Sequence, residues 1–466
     1  MHSRICETCI QREILKMPRQ ENKMGTMPVK KLIITMSLPM MVSMLVQALY
    51  NVVDSIYVSR ISEAALTSVT MAFPLQNLMI ALGSGTGVGI NALLSRSLGE
   101  KRYDQSDAAA GNGLLLTALN YLVFLIAGLV VAAPFIHTQT SDPGIASDGI
   151  IYLRIVCCMS LGLFFQMTFE RLLQSTGRTF YSMISQLSGA VINIILDPIL
   201  IFGMLGMPRM GVAGAALATV IGQFCAAVIG LFLNVKKNKD IHFSFKNVLS
   251  PDGRVISEIY KVAVPSILMI SIGSIMTYLM NLILTAFSAT AIAVFGVYFR
   301  LQSFVFMPVF GLNNGLIPVI AYNYGARNKS RILESLKFAM TLAVSIMTMG
   351  TIIFELFPGL LLRMFDASEE MLRIGIPALR IICLSFPIAG ACIAMGSVFQ
   401  AFSRSFYSLI VSVGRQLVVL IPVAFLLSKL GNINLVWVAF PIAEIVSGMI
   451  SVYCFRKVYK EIIVPM

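Results

Sequence analysis

The sequence predicts an all-α integral membrane protein, with twelve transmembrane helices arranged as two pseudo-symmetric six-helix lobes. Three observations predict it. The 466 residues are 57% hydrophobic and only 12% charged, roughly half the charge of an ordinary soluble domain. Apolar runs of 20 residues or more recur along the whole chain, each long enough to cross a hydrocarbon core about 30 Å thick as a helix. The chain also matches itself at a single offset of 226 residues.

The runs fall at 31–58, 67–95, 107–137, 149–171, 180–204, 211–235, 259–287, 291–322, 333–358, 372–398, 406–430 and 434–456. They divide the chain into an N-terminal tail (1–30), an N-lobe (31–235, helices 1–6), a basic linker (236–258), a C-lobe (259–458, helices 7–12) and a C-terminal tail (459–466). The net charge of +13 is a matter of topology. With the N-terminus in the cytoplasm, 26 Lys and Arg fall in cytoplasmic segments, against four (Arg60, Arg209, Arg363 and Lys429) in the opposite loops. That bias places both termini in the cytoplasm of a multi-pass protein of the cell (plasma or inner) membrane and implies no nucleic-acid partner.

Eight cysteines give no disulfide framework: six lie in apolar runs, and Cys6 and Cys9 form a lone CxxC, a weak zinc signal without a second pair. The tail has no apolar region long enough for a secretion signal, and Met24 or Met27 is an alternative start.

At the 226-residue offset, Pro39 meets Pro265, Gln76 meets Gln302, and Gly85, Gly89 and Gly99 meet Gly311, Gly315 and Gly325. LRIVC at 153–157 meets LRIIC at 379–383, and QSTGRTFYS at 174–182 meets QAFSRSFYS at 400–408. Six helices per repeat is an even number, so both units enter from the same side and are related by a pseudo-two-fold axis along the membrane normal. Two parallel lobes facing one another predict a central cavity and transport by alternating access. Duplication as mere folding history is the alternative.

Ionisable residues at membrane depth cost roughly 2.5–3.5 kcal/mol on insertion scales, which makes them functional candidates. Few acids lie in the runs: Asp54, Asp197, Glu444 and, near ends, Glu170 and Glu355. His2, His137 and His242 lie in tails, loops or a helix end, so a histidine relay is excluded. Asn193 precedes Asp197 by four residues, which places both on one helical face. Pro198 then predicts a locally distorted helix with free carbonyls. Such oxygens suit a small hard cation or an exchanging proton, or else merely glue helices together. The repeat decides between these. The mates of Asp54, Asn193 and Asp197 are Met280, Val419 and Val423, so the polar set belongs to the N-lobe alone. Glu444, whose mate is Ala218, either neutralises Arg415 or contacts a cationic substrate. Glu170 and Arg171 are expected at the cytoplasmic interface, Glu355 near the outer one, and Arg300 and Arg380 near span ends where they can snorkel.

The chain resembles the multidrug and toxic compound extrusion (MATE) family, in its bacterial branch, over about residues 30–458. The resemblance is carried by SLPMMVSMLVQALYNVVDSIYVS, AFPLQNLMIALGSGTGVGINALLSRSLGEKR, NIILDPILIFGMLGMPRMGVAGAALAT and MPVFGLNNGLIPVIAYNYGAR. It implies a cation-coupling site in the N-lobe built from Asp54, Asn193, Asp197 and Thr219. Binding or protonation there would bend helix 1, with Pro39 as hinge. Branches of the family carry acids in helices 7 and 10 of the C-lobe; this chain has none there, which argues against coupling through that lobe. The resemblance further implies export of amphipathic, often cationic compounds by an antiporter that is no enzyme, uses no cofactor beyond a coupling ion, H⁺ or Na⁺, and works as a monomer. The Met and Phe content adds little, since both are ordinary in lipid-facing helices. Gln47, Tyr50, Asn51, Met280 and Glu444 are candidates for the substrate cavity wall. A related flippase of lipid-linked precursors is the alternative, for which more cationic cavity residues are expected. No nucleotide-binding loop is present in the sequence, so the energy comes from an ion gradient.

Overall fold

A computed structural model describes residues 21–242, 245–365 and 367–466. The Cys6–Cys9 pair and the tail up to residue 20 lie outside them. Among the described residues, ten helices are each long and apolar enough to cross a membrane, and two bent helix pairs bring the spans to twelve. The N-lobe holds α1 (Val29–Ser59), α2 (Glu63–Gly99), α3 (Tyr103–Val130), α4 (Pro143–Cys158 with Leu161–Ser175), α5 (Thr179–Phe202) and α6 (Val212–Lys237). The C-lobe holds α7 (Gly253–Thr285), α8 (Ala289–Gly325), α9 (Lys329–Leu356), α10 (Glu369–Cys383 with Phe386–Ala401), α11 (Ser405–Ser428) and α12 (Ile433–Val458).

The repeat extends to local geometry. Ser62 caps α2 by accepting from the Ala65 amide, and Ser288 caps α8 by accepting from Ala291 in the same way. Such caps satisfy one of the four amides a helix start leaves unpaired. Lys101 and Arg327, 226 residues apart, both sit at positive φ in the turns after α2 and α8. The bends in α4 (45°) and α10 (46°) also correspond. Hydropathy reads each as one straight span. The structure breaks them at Ser160 and Ser385, whose hydroxyls fold back onto the carbonyls of Cys157 and Ile382, a local bond that competes with the helical ladder.

Pro198 does not interrupt α5. It withholds a donor from the Ile194 carbonyl, yet the helix continues to Phe202. Close packing on α6 holds it: a Cβ on Gly222 would stand 2.7 Å from the Gly189 carbonyl, and one on Gly214 2.6 Å from that of Leu200.

The lobes meet along the helix halves nearest the chain termini. A Cβ on Gly99 would lie 1.9 Å from the Tyr322 carbonyl, and one on Gly325 2.2 Å from that of Arg96. These are mates under the 226-residue offset, so the pseudo-two-fold axis passes between them. Every glycine-mediated approach between the lobes among the described residues falls in this half. Side chains reinforce it. Ser37 donates to the Leu312 carbonyl at 3.3 Å, Arg96 pairs with Glu258 at 3.6 Å, and Arg331 donates to the carbonyls of Met24 and Met27.

Glu170 and Arg171 correct an expectation. They are buried, 8% and 9% exposed, rather than solvated at a helix end. The stem of Arg171 fits against Gly87 of α2, where a Cβ would meet its Cγ at 2.7 Å. Its guanidinium donates to Gln174 at 3.0 Å and, across the lobe boundary, to Asn314 of α8 at 3.1 Å. Glu170 accepts from Gln166. Glu355 and Arg380 pair with each other at 3.8 Å, both well exposed, as span-end residues should.

Candidate functional site

Three N-lobe helices bring the predicted set together. Asp54 projects from the C-terminal half of α1, Asn193 and Asp197 from successive turns of α5, and Thr219 from α6. Asn193 is 2% exposed, Asp197 0% and Thr219 4%. The Asn193 amide donates to Thr219 Oγ1 at 3.3 Å, and the same hydroxyl contacts the Tyr50 hydroxyl at 3.4 Å. Tyr50, a candidate for the cavity wall, is therefore tied into the polar cluster one turn before Asp54. The α5–α6 approach at Gly189 and Gly222 sets this spacing, because two backbones that nearly touch bring short side chains within bonding range.

Four buried oxygens in the cluster have no hydrogen-bond donor: Asp54 Oδ1, Asn193 Oδ1 and both carboxylate oxygens of Asp197. Leaving such groups unpaired in a low-dielectric interior costs about 1–3 kcal/mol each, and more for a charge. Among the described residues, no Lys or Arg pairs with either aspartate. Two carboxylates, an amide carbonyl and a hydroxyl are hard oxygen donors, a set that suits a proton or a small hard cation. Among the described residues no group of three or more His, Cys, Asp or Glu could hold a metal ion, so a multi-carboxylate metal cage is not what these residues form.

Sequence reasoning missed Tyr152. This buried residue of α4 interacts with Gln76 of α2 and lies within Coulomb reach of Asp54 and Asp197. The repeat carried a signal for it, since its mate is the apolar Ala378.

The remaining cavity candidates separate. Gln47 donates to Asn51 at 3.3 Å and accepts from Gln186 of α5 at 3.4 Å, forming a polar line along α1 below Tyr50; Asn51 is exposed. Met280 is fully buried in the C-lobe packing and lines no open wall in this conformation, a correction to its expected place. Glu444 is ion-paired with Arg415 at 3.1 Å, the first of its two expected roles. Its second oxygen, Oε1, has no donor. Pro39 lies buried inside α1, which stays helical through it.

The MatE family profile matches residues 39–199 and 265–426, one match in each lobe and again 226 residues apart at their starts. The multidrug export protein MepA of Staphylococcus haemolyticus is 27% identical over 428 residues, covering 90% of this chain and 91% of its own. MepA of Staphylococcus aureus strain MRSA252 is 28% identical over 440 residues, covering 92% and 94%. Among solved structures, the outward-facing conformation of a multidrug resistance MATE family transporter superposes with a TM-score of 0.89 at 24% identity, covering 95% of this chain and 98% of that one.

Proposed function

The chain belongs to the MatE family and is a MATE-type multidrug efflux transporter, and from that premise we propose that it is a cation-coupled antiporter driven through the N-lobe cluster. The observation that carries this reading is the set of four donorless buried oxygens on Asp54, Asn193 and Asp197. Their cost is relieved when H⁺ or Na⁺ arrives, so cation binding favours whichever arrangement of α1, α5 and α6 closes them around it. Asp54 lies beyond Pro39 on α1, so the outer half of that helix can bend about the proline as the cluster fills and empties. Occupancy then biases the lobes between two states, and the substrate leaves as the cation enters.

The charge bias of the loops supports cytoplasmic termini. The end at which the lobes are clamped is then the cytoplasmic one, and the conformation described is the outward-facing one. Gln47, Tyr50 and Asn51 stand on α1 beside the cluster and offer hydrogen bonds to amphipathic, often cationic, drugs or dyes. The protein acts as a monomer, as a transporter rather than an enzyme, with no cofactor beyond the ion.

The test is ethidium efflux from energised vesicles, wild type beside Asp54→Asn, with the proton and sodium gradients collapsed separately. Wild-type export that is abolished by Asp54→Asn at equal expression is the expected result, and the gradient whose collapse stops export names the ion. Normal export by the variant would remove the coupling role from Asp54.

A further inference from the structure

Pro39 has no amide hydrogen to give the carbonyl one turn before it, that of Thr35. That carbonyl accepts instead from the Thr179 hydroxyl at 3.3 Å. Thr179 is 1% exposed and is the first residue of α5, the helix that carries Asn193 and Asp197. The C-lobe contains the same parts without the bond. Pro265 orphans the Lys261 carbonyl in α7, and the mate of Thr179 is Ser405, the first residue of α11. The Ser405 hydroxyl is fully buried and has no hydrogen-bond partner. The turns leading into the two helices match: the Arg178 amide donates to Leu173 O and the Arg404 amide to Phe399 O, each at 2.7 Å. At these helix starts the difference thus lies in the hydroxyl and the carbonyl it reaches.

We propose that Thr179 is the positioning residue of the α1 hinge: its hydroxyl holds the carbonyl freed by Pro39 and so links the bend of α1 to the helix bearing the cation site. The physical reason is that an orphaned buried carbonyl costs about 1–3 kcal/mol, and a helix bends most easily where its ladder is already open. While Thr179 supplies the missing donor, the straight form of α1 is favoured. A shift of α5 as its acid fills or empties moves Thr179, because the 14 helical steps from Thr179 to Asn193 form one rigid rod about 21 Å long. The N-lobe thus has a sensing helix joined to its hinge, and the C-lobe has only the hinge. The inference rests on the hinge and coupling roles proposed above.

The experiment compares wild type, Thr179→Val, Thr179→Ser, Pro39→Ala and Ser405→Ala in full-length protein, each checked for a monodisperse peak in detergent. Thr179→Ala replaces the valine variant if the latter does not fold. Two quantities are read: amide hydrogen exchange over residues 35–45, and the concentration of the driving cation that gives half-maximal ethidium efflux. Thr179→Val is expected to speed exchange in that segment several-fold and to shift the half-maximal cation concentration by about three- to tenfold. Thr179→Ser restores both, and Ser405→Ala changes neither. If Thr179→Val matches wild type while Pro39→Ala does not, the hinge stands and the role of Thr179 is overturned. An equal effect from Ser405→Ala also overturns it, because the change is then a packing defect common to both lobes. If Pro39→Ala and Thr179→Val are both silent, the hinge reading fails as well.

Discussion

At the scale of single residues, the N-lobe cluster is defined by which of its atoms lack partners. Asp197 is fully buried with neither oxygen satisfied, whereas Asp54 is half-buried with one buried oxygen unpaired. Under the proposed coupling, Asp197 is then the acid that depends more completely on an arriving cation. Asp197→Asn keeps the shape and supplies an amide that can satisfy neighbouring oxygens, so it should leave a folded protein of equal or higher melting temperature in detergent with efflux reduced at least tenfold. A clear loss of melting temperature would instead make Asp197 a structural residue. Thr219 receives the Asn193 amide and contacts the Tyr50 hydroxyl, so Thr219→Val frees two polar groups at once. It should weaken cation dependence more than Thr219→Ser, as read from the cation concentration needed for half-maximal efflux. Asp54, Asn193 and Asp197 were legible in the sequence because their mates at +226 are apolar, which marks them as a polar set that one lobe has and the other omits, whereas Thr219 was reached only through the family resemblance. Tyr152 obeys the same rule against Ala378, but a tyrosine in an apolar run looks like ordinary core. Hydrophobicity alone gives it no prominence.

At the scale of elements, hydropathy located the spans well and their interiors poorly. It sums over about twenty residues, whereas a bend depends on one hydroxyl, as at Ser160, and continuity through Pro198 depends on the packing of a neighbouring helix. The burial of Glu170 and Arg171 was illegible for the same reason: nearness to the end of an apolar run says nothing about the cover that α2 provides at Gly87. In the C-lobe, α11 widens into a π-helical segment at Gly414–Leu420, a feature often found where a helix carries a functional or strained group. That segment carries Arg415 to Glu444. The side chain of Arg415 is 33% exposed and that of Glu444 only 7%, so the two halves of the pair are unequal. Arg415→Ala strands a carboxylate that is almost wholly buried, whereas Glu444→Ala strands a guanidinium with a third of its side chain still open. Removing one partner of a fully buried pair costs about 3–5 kcal/mol. The arginine variant should approach that range and the glutamate variant fall well below it, in thermal or denaturant unfolding. A leucine at both positions should be less damaging than Arg415→Ala. Equal losses for the two single variants would mean that Arg415 is as enclosed as its partner.

At the scale of the whole molecule, alternating access requires the contact between the lobes to break and re-form, and that contact runs along half of each of α1, α2, α7 and α8, with Gly85, Gly89, Gly311 and Gly315 in it. Its closest backbone approaches are at two glycines related by the pseudo-two-fold axis, each lying over a carbonyl of the opposite lobe: Gly99 over Tyr322 and Gly325 over Arg96. A methyl group at either position would stand about 2 Å from a backbone oxygen, and a backbone pair cannot yield as a flexible side chain can. The lobes must separate instead. Gly99→Ala and Gly325→Ala should therefore each reduce efflux at least tenfold and lengthen spin-label distances between the lobes at the end near the termini. Gly296→Ala, where an added Cβ meets nothing within 4 Å, should leave both readings near wild type. Because both glycines serve one contact, the double variant should do little more harm than either single one, the non-additivity expected of residues that share a structural event. The Arg171–Asn314 bond crosses the same boundary and offers an independent check. A charge-assisted hydrogen bond contributes about 1.5–3 kcal/mol, so Asn314→Ala should lengthen the same distances, and Gly99→Ala should leave little further effect for Asn314→Ala to add. If the glycine variants keep wild-type distances and still lose efflux, the clamp is not where the lobes part, and the pseudo-two-fold contact is a fixed pivot rather than a gate.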